Sequence, residues 1–236
     1  MSATDSFARL DAEIADCRAC PRLVAWREQV AREKRASYAE ETYWGRPVPG
    51  FGDEQPAVLV VGLAPAAHGA NRTGRMFTGD RSGDWLFASL HRVGLANQPT
   101  ATSLDDGLRL RGVRLAAAVR CAPPENKPTP AERDRCASYV DRELALVADG
   151  LRVVVTLGAF GWDAALGAAR RAGWDVPRPK PRFGHGTEVA LRTAMGEERL
   201  LLGCYHPSQH NTFTGRLTEE MTDDVLGRAA RVASLT

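Results

Sequence analysis

The sequence predicts a three-layer α/β/α fold around a central sheet of four mainly parallel strands. Four short apolar runs, at residues 57–61, 113–119, 153–157 and 200–204, have the length and composition of buried strands. Each run is followed by a loop and then by a stretch with helical spacing, and strands that alternate with helices indicate a parallel sheet. The chain of 236 residues, with 44% apolar and 25% charged content, is long enough for one domain with a substantial core.

We expect a single domain over residues 1–236, made of an N-terminal extension at 1–56 and an α/β core at 57–236. Residues 3–35 have helical spacing, with an interruption at Cys17, Cys20 and Pro21. The stretch 36–56 is rich in Gly, Pro and aromatic residues and is interpreted as a loop that leads into the first strand.

Two helices of the core have recognisable start signals. Ser82 and Asp84 stand where helix caps belong, before apolar residues whose helical spacing stops near Gly94. Thr129 and Glu132 have the spacing of a capping box, which predicts a helix that ends near Gly150. Each helix therefore follows a strand and its loop, as the α/β pattern requires.

The second half of the chain repeats this unit. The third strand is followed directly by a helical stretch up to Gly173, and the fourth by a polar loop and a C-terminal helix. Residues 174–186 are expected to be a loop, and 188–191 an edge strand. The chemically distinctive loops all follow strands, so the site is expected at the carboxyl edge of the sheet.

The bulk composition excludes few partners. The formal net charge is only +2, so net charge by itself does not indicate nucleic-acid binding, although a local basic patch could supply phosphate contacts. No apolar run is long enough to span a membrane, and the first residues lack the pattern of a secretory signal. We therefore expect a cytoplasmic protein that does not bind membranes.

Four cysteines have a spacing typical of metal ligands. Cys17 and Cys20 form a C-x2-C pair, and Cys121 and Cys136 form a second pair. Disulfides are rare in the cytosol, so thiolate ligands for an iron–sulfur cluster or a structural zinc ion are the main interpretations, and four unconnected buried thiols are the alternative. Cys204, at the end of a strand, is interpreted as a small core residue.

Three loops carry unusual residues. They read GLAPAAHGANRTGRMFTGD at residues 62–80, RCAPPENKPTP at 120–130 and GCYHPSQHNTFTG at 203–215. The four glycines of the first loop suggest a backbone held close to a ligand, but neither of the common nucleotide-binding glycine motifs is present. All three loops should meet at one edge of the sheet.

These loops and the four cysteines resemble the uracil-DNA glycosylase superfamily, specifically family 5 (UDGb-type), which is related to the family 4 iron–sulfur enzymes. The likeness covers roughly residues 17–230. It implies a DNA-repair hydrolase that cleaves the bond between uracil and deoxyribose, acts as a monomer and binds double-stranded and also single-stranded DNA with deaminated bases. The resemblance further implies a [4Fe–4S] cluster on Cys17, Cys20, Cys121 and Cys136.

Three residues are expected to act in catalysis. His206, in the HPS motif, would donate a hydrogen bond to a carbonyl oxygen of the leaving base, where negative charge develops; a core histidine is the alternative. Most of the superfamily carries an acidic or amide residue where this chain has Leu63 and Ala64, and in family 5 the asparagine matching Asn126 is implied to hold the attacking water. Asp80 would stabilise the sugar cation or bind water, or else it caps a helix.

Further residues are expected to bind the substrate. Phe77 matches the family's stacking phenylalanine, and Ala117 stands where family 4 has an asparagine that reads uracil. Because Ala117 lacks that amide, the pocket is expected to accept a wider range of bases, which includes hypoxanthine, xanthine or etheno-cytosine. The other expected substrate-binding residues are Gly62, Ala64, Ser208, Gln209, Asn211 and Arg216.

The HPS loop continues through His210 and Thr212, and the segment 209–212 would enter the minor groove. Arg216 and Arg72 are candidate phosphate contacts, with a solvated surface position as the alternative. Two other functions stay open at this point: a damage-binding or covalently trapping relative with little turnover, and an iron–sulfur electron carrier. The trapping relatives have a basic insert after the second motif, and this sequence has none, which favours turnover.

Overall fold

The computed structural model describes residues 5–235, in which a six-stranded mixed sheet lies between two layers of helices. The strands are β1 (Phe51–Gly52), β2 (Val58–Gly62), β3 (Val113–Ala117), β4 (Val153–Leu157), β5 (Glu188–Arg192) and β6 (Glu198–Cys204). Their order in the sheet is β1-β3-β2-β4-β6-β5. The four central strands are parallel, and the edge strands β1 and β5 are antiparallel to their neighbours.

The predicted three-layer α/β/α fold is confirmed, and the number of strands is corrected from four to six. The four parallel strands are those marked by the apolar runs, and the edge strand expected at 188–191 is β5. The additional strand, β1, has two residues and lies inside the stretch interpreted as a loop. A strand this short has no alternation of its own, so the pattern could not reveal it.

The helices between residues 5 and 235 cover both faces of the sheet. They are α1 (Phe7–Asp16), α2 (Pro21–Glu33), α3 (Ala70–Thr73), α4 (Arg81–Arg92), α5 (Pro130–Val147), α6 (Gly158–Arg171), α7 (Gln209–Phe213) and α8 (Glu219–Val232). Helices α4 and α8 pack on one face, and α1, α5 and α6 pack on the other. The short helices α3 and α7 lie in stretches expected to be loops.

The two cores follow from the alternation of side chains along each strand. In β2, Val58 and Val60 belong to the core under α4 and α8, whereas Leu59 and Val61 belong to the core under α1, α5 and α6. Every residue of β2, β3 and β4 is buried, as expected for parallel strands covered on both faces.

Of the two helix caps predicted from the sequence, one is confirmed and the other is wrong. Thr129 and Glu132 form the expected capping box at the start of α5. The expectation for Ser82 and Asp84 is wrong, because the N-cap of α4 is Asp80, whose side chain accepts a hydrogen bond from Gly83 N at 3.0 Å. Asp80 therefore has a structural role besides any role in chemistry.

The N-terminal extension packs into the domain. Phe7, Leu10 and Ile14 of α1 are buried in the core of the α5 and α6 face. Arg142 on α5 forms ion pairs with Asp5 and Glu13. Because β1 also pairs with β3, residues 5–56 belong to the same folded unit as the core. Residues 1–4 and 236, which are part of the predicted domain, lie outside the described residues.

Among residues 5–235, none of the helices is both long and apolar enough to cross a membrane.

Candidate active site

A cavity of about 550 Å³ is lined by the loops that follow β2, β3 and β6 and by the start of α4. These loops all leave the carboxyl ends of parallel strands, where ligands bind in open α/β sheets. Eight of the residues expected to act in catalysis or binding line it: Ala64, Phe77, Asp80, Ala117, Asn126, His206, Ser208 and Gln209. The three loops therefore converge, as the sequence required.

Phe77 forms one wall of this cavity. Its ring centroid lies 6.5 Å from that of His206, with the two rings tilted by 38°. The backbone of Phe77 is left-handed, with φ of 54°. Behind the ring lies Gly62, where a Cβ atom would come within 2.6 Å of Phe77 Cζ. Gly62 does not line the cavity, and its lack of a side chain instead makes room for the phenylalanine.

His206 follows the last residue of β6 by two positions and faces the same cavity. Desolvation by the surrounding protein lowers the pKa of His206 to about 4, so the imidazole is neutral near pH 7. The carbonyl oxygen of His206 accepts hydrogen bonds from Asn211 Nδ2 and Ser208 N, both at 2.8 Å. A neutral imidazole held in this way can donate one N–H to a ligand oxygen without carrying a charge.

Asn126 lies at the exposed rim of the cavity, in a short 3-10 turn after β3. Its φ of 56° is left-handed, a conformation that asparagine adopts more readily than most residues. A carboxamide can both donate and accept hydrogen bonds, so it can orient a water molecule, but it is a weak base.

Asp80 combines the helix cap with a position on the cavity wall. Burial raises the pKa of Asp80, although backbone hydrogen bonds from Gly83 and Ser82 oppose this shift. Its Oδ2 atom lies against Gly69, where a Cβ atom would be only 2.0 Å away. The carboxylate is therefore held rigidly, and one oxygen remains beside the cavity.

Three of the expected contacts are placed elsewhere. Asn211 does not line the cavity, and it instead binds the backbone of His206. The guanidinium of Arg216 lies 4.7 Å from the ring centroid of Tyr205. The expected phosphate contact of Arg72 is wrong, because this buried side chain pairs with Glu41 and donates to the carbonyl oxygens of His68 and Gly79.

Sequence reasoning missed several lining residues, among them Arg81, Ser82, Met76 and Ala70. Arg81 and Ser82 belong to the first turn of α4, next to Asp80. The position of Asp80 as N-cap was the signal that could have found them, because it places the start of the helix at the rim of the cavity.

The four expected ligand cysteines also come together. Cys17, Cys20, Cys121 and Cys136 all line one cavity between α2, α5 and the loop after β3, and none forms a disulfide. Within residues 5–235, no three or more Cys, His, Asp or Glu side chains are grouped closely enough to hold a single metal ion, so the association of the four thiols rests on the cavity that they share. Cys204 is remote from this group and is buried in the core under α4 and α8.

Two buried arginines line the cysteine cavity. Arg27 Nη1 donates to Cys121 Sγ at 2.9 Å, and the backbone N–H of Arg120 donates to Cys136 Sγ at 3.3 Å. Arg120 also pairs with Glu143. Nevertheless, Nε of Arg27 and both Nε and Nη1 of Arg120 are buried without a hydrogen-bond partner in the described part of the chain. Buried arginine nitrogens left without a partner in this way favour an anionic group in the cavity.

The fold and the first cavity define an α/β protein whose candidate site has an aromatic side chain and an imidazole on one cavity wall. Residues 49–229 match the family model of the uracil DNA glycosylase superfamily, and the chain belongs to this superfamily.

Individual relatives narrow the likeness to one branch. The chain is 56% identical to a type-5 uracil-DNA glycosylase of Mycobacterium bovis over 98% of this chain and 83% of the relative. It is 51% identical to a type-5 uracil-DNA glycosylase of Thermus thermophilus, over 93% of this chain and 94% of the relative. A type-4 uracil-DNA glycosylase of Archaeoglobus fulgidus is 32% identical over 48% of this chain and 49% of its own length. The resemblance to family 5, with family 4 more distant, is confirmed.

Proposed function

We propose that this protein is a uracil-DNA glycosylase that removes uracil from DNA and leaves an abasic site. The proposal is carried by the convergence of Phe77, Asn126 and His206 on one cavity in a chain that belongs to this superfamily. A base inside a duplex stack is inaccessible, so the substrate nucleotide is extruded and its base enters the cavity against the Phe77 ring.

In the proposed reaction, the bond between C1′ and the base nitrogen breaks, and its electron pair leaves with the base. The neutral imidazole of His206 donates a hydrogen bond to a carbonyl oxygen of the base, where that negative charge accumulates. Asn126 orients the water whose oxygen adds to C1′, and the water's proton passes to solvent or to the departing base.

Asp80 also supports this charge separation. Its rigid carboxylate stabilises the positive charge that develops on the sugar. Because Asn126 is a poor base, bond cleavage runs well ahead of water attack, and electrostatic stabilisation contributes more than proton abstraction. Stabilisation of both developing charges is what these three side chains supply.

The substrate range is proposed to extend beyond uracil to hypoxanthine, xanthine or etheno-cytosine. The wall of the cavity at Ala117 is a methyl group, and Leu63, Ala64 and Met76 around it are apolar. Such a wall offers no hydrogen-bonding pair that would reject a different base edge.

An amide at position 117 tests this range. Ala117→Asn should lower the excision of hypoxanthine relative to uracil by at least about tenfold, since a specific hydrogen-bonding pair discriminates strongly. Single-turnover rates on otherwise identical oligonucleotides measure the ratio, with Ala117→Ser as a control for added bulk. An unchanged ratio in the asparagine variant would remove Ala117 from the determinants of specificity.

A [4Fe–4S] cluster on Cys17, Cys20, Cys121 and Cys136 is a further proposal. Four thiols on one cavity and the unpartnered buried atoms of Arg27 and Arg120 beside them fit an anionic thiolate-bound group. When bound, such a group supplies cross-links between segments and also has the capacity to carry an electron. The chain's own part is to hold α2 against α5 and to counter the charge with Arg27.

The decisive experiment uses the purified protein on duplex and single-stranded oligonucleotides with one uracil. Accumulation of abasic sites over many turnovers supports the hydrolase. Binding without turnover, or a stable covalent adduct, would instead favour the damage-binding relative. Sedimentation of the same preparation tests the proposed monomer.

A further inference from the structure

Phe213 is a large aromatic side chain that is 68% exposed on α7. The other large apolar side chains exposed in the described part of the chain are Leu104, Phe160 and Met195. Exposure of one apolar residue is ordinary, so the position of Phe213 relative to the cavity decides whether it matters.

Two observations place Phe213 beside the mouth of the cavity. Gln209, the first residue of α7, lines the cavity, and Phe213 follows it by four residues, on the same face of the helix and one turn away. Arg81, another lining residue, holds its guanidinium 5.5 Å from the centroid of the Phe213 ring. The ring therefore lies next to the rim, and the guanidinium covers one of its faces.

Arg81 contributes an available positive charge at this rim. It is exposed and forms no salt bridge with another residue in the range 5–235, although Asp84 is close enough to be influenced by its charge. It also stands in the first turn of α4, where the helix dipole favours an anion. An exposed ring with a cation on one face matches the two parts of a nucleotide, because the base can stack on the open face and the phosphate can pair with the guanidinium.

We propose that Arg81 and Phe213 bind the nucleotide adjacent to the extruded one in the same DNA strand. Phe213 stacks on the base of that nucleotide, and Arg81 binds the phosphate that joins it to the extruded nucleotide. The proposal rests on the proposed glycosylase function and adds two positioning residues to it. Stacking tolerates any base, so these residues hold the strand without reading its sequence.

The test compares Phe213→Ala and Arg81→Gln with two control variants, Met195→Ala and Arg109→Gln. Met195 is 87% exposed in the turn between β5 and β6, and Arg109 precedes β3, so both lie towards the opposite edge of the sheet. Affinity for uracil-containing single-stranded and duplex oligonucleotides is measured in catalytically slowed His206→Ala protein, and single-turnover excision is measured in each variant without that change.

Phe213→Ala should weaken DNA affinity by about 5- to 150-fold, which is the range expected for one base–aromatic stack. Phe213→Trp should keep the affinity, and Phe213→Leu should lose most of it. Arg81→Gln should reduce the slope of log affinity against log salt concentration by about one, the change expected when one phosphate contact is lost. The excision rate at saturating protein should change far less than the affinity.

A substrate with the base removed from the flanking position provides the sharpest comparison. On that DNA, Phe213→Ala should lower the affinity little further, because the base on which Phe213 stacks is already missing. The assignment is wrong if the affinity losses caused by Phe213→Ala and by removal of the flanking base are additive. It is also wrong if Phe213→Ala binds DNA as tightly as Met195→Ala does. Failure of the unaltered protein to excise uracil would overturn the proposed function itself. That outcome is distinct from a failure of the Phe213 and Arg81 assignment, which the affinities of the variants decide.

Discussion

His206 carries its chemistry without a charge. Its pKa of about 4 lies below the ordinary value of 6.5, because desolvation disfavours the imidazolium. The neutral form therefore prevails throughout the physiological range, and in the proposed reaction the residue would donate its hydrogen bond to the leaving base as a neutral group. Leaving-group stabilisation is thus independent of a histidine titration near neutral pH.

The single-turnover excision rate of the unaltered protein should accordingly change little from about pH 8 to about 5.5 and fall as the pH approaches 4. His206→Ala should be slower by roughly 10² to 10³ over the whole range, since one donor to a developing anion is lost. A rate that rises as the pH falls through 6.5 would show that the imidazolium is the active form.

The same depressed pKa affects stability. A group with a lower pKa in the folded state stabilises the protein above its unfolded pKa, and this contribution is lost as the pH falls from about 6.5 towards 4. The unaltered protein should therefore lose more thermal stability over that interval than His206→Gln does, as measured by melting temperature at matched pH values.

Asn126 provides a second test at the level of one side chain. Asn126→Ala should slow base release, because the attacking water loses its partner, while affinity for abasic DNA stays largely intact. Asn126→Asp keeps the shape and adds a stronger base, so it should retain more activity than the alanine variant. Equal single-turnover rates for Asn126→Ala and the unaltered protein would exclude the proposed role.

At the level of secondary structure, the start of α4 couples fold stability to the chemistry of the site. Asp80 Oδ1 accepts from Gly83 N at 3.0 Å, and the same side chain lines the cavity. Stability and activity can be separated here, because an amide oxygen caps a helix about as well as a carboxylate does, yet it cannot stabilise a cation equally well.

Asp80→Asn should therefore melt close to the unaltered protein but excise uracil more slowly. Asp80→Ala should lose both the activity and about 1 kcal/mol of unfolding free energy. Thermal melts and single-turnover rates of the two variants measure the two effects. Normal excision by Asp80→Asn would leave Asp80 with the capping role alone.

The elements also show why some features were predictable. The parallel strands follow from apolar runs that are buried on both faces, and the capping box of Thr129 and Glu132 determines where α5 begins. In contrast, β1 exists through its pairing with β3, and α7 is a single short turn. Neither has a periodic pattern of its own, so tertiary contacts decide them.

The loop motifs indicated which residues could share a site, and the cavity brings Phe77, Asn126 and His206 together. Their individual roles stay predictions. The backbone contact of Asn211 with His206 and the stacking of Arg216 on Tyr205 depend on side-chain directions within a loop. Residue spacing does not determine such directions. From the sequence, Asn211 and Arg216 are therefore expected among the residues that bind the substrate directly.

For the whole molecule, the cysteine cavity connects parts of the chain that are far apart in sequence. Cys17 and Cys20 lie between α1 and α2, Cys121 follows β3, and Cys136 is in α5. A group bound by all four thiols would tie the N-terminal helices to the loop that carries Asn126. Its loss should therefore affect the position of that loop as well as the stability of the N-terminal segment.

The cluster proposal predicts different outcomes for two arginines on this cavity. Arg27 is buried and donates to Cys121 Sγ, whereas Arg135 is exposed and donates to the carbonyl oxygen of Ala19. Cys121→Ser should lower the iron and sulfide content and the visible absorbance, because a ligand is lost. Arg27→Gln should lower the same quantities, because the charge that counters the thiolates is lost. Arg135→Gln should have a smaller effect, since solvent screens the charge of Arg135 even though this side chain also donates to Cys20.

The physical consequence should extend beyond the cofactor. In Cys121→Ser, limited proteolysis should cut between α1 and α2 sooner than in the unaltered protein, and the melting temperature should fall. A variant that keeps its iron would exclude Cys121 as a ligand. Stoichiometric zinc in place of iron in the unaltered protein would assign the four thiols to a structural metal ion, and the cross-link between the N-terminal helices and the catalytic edge of the sheet would still hold.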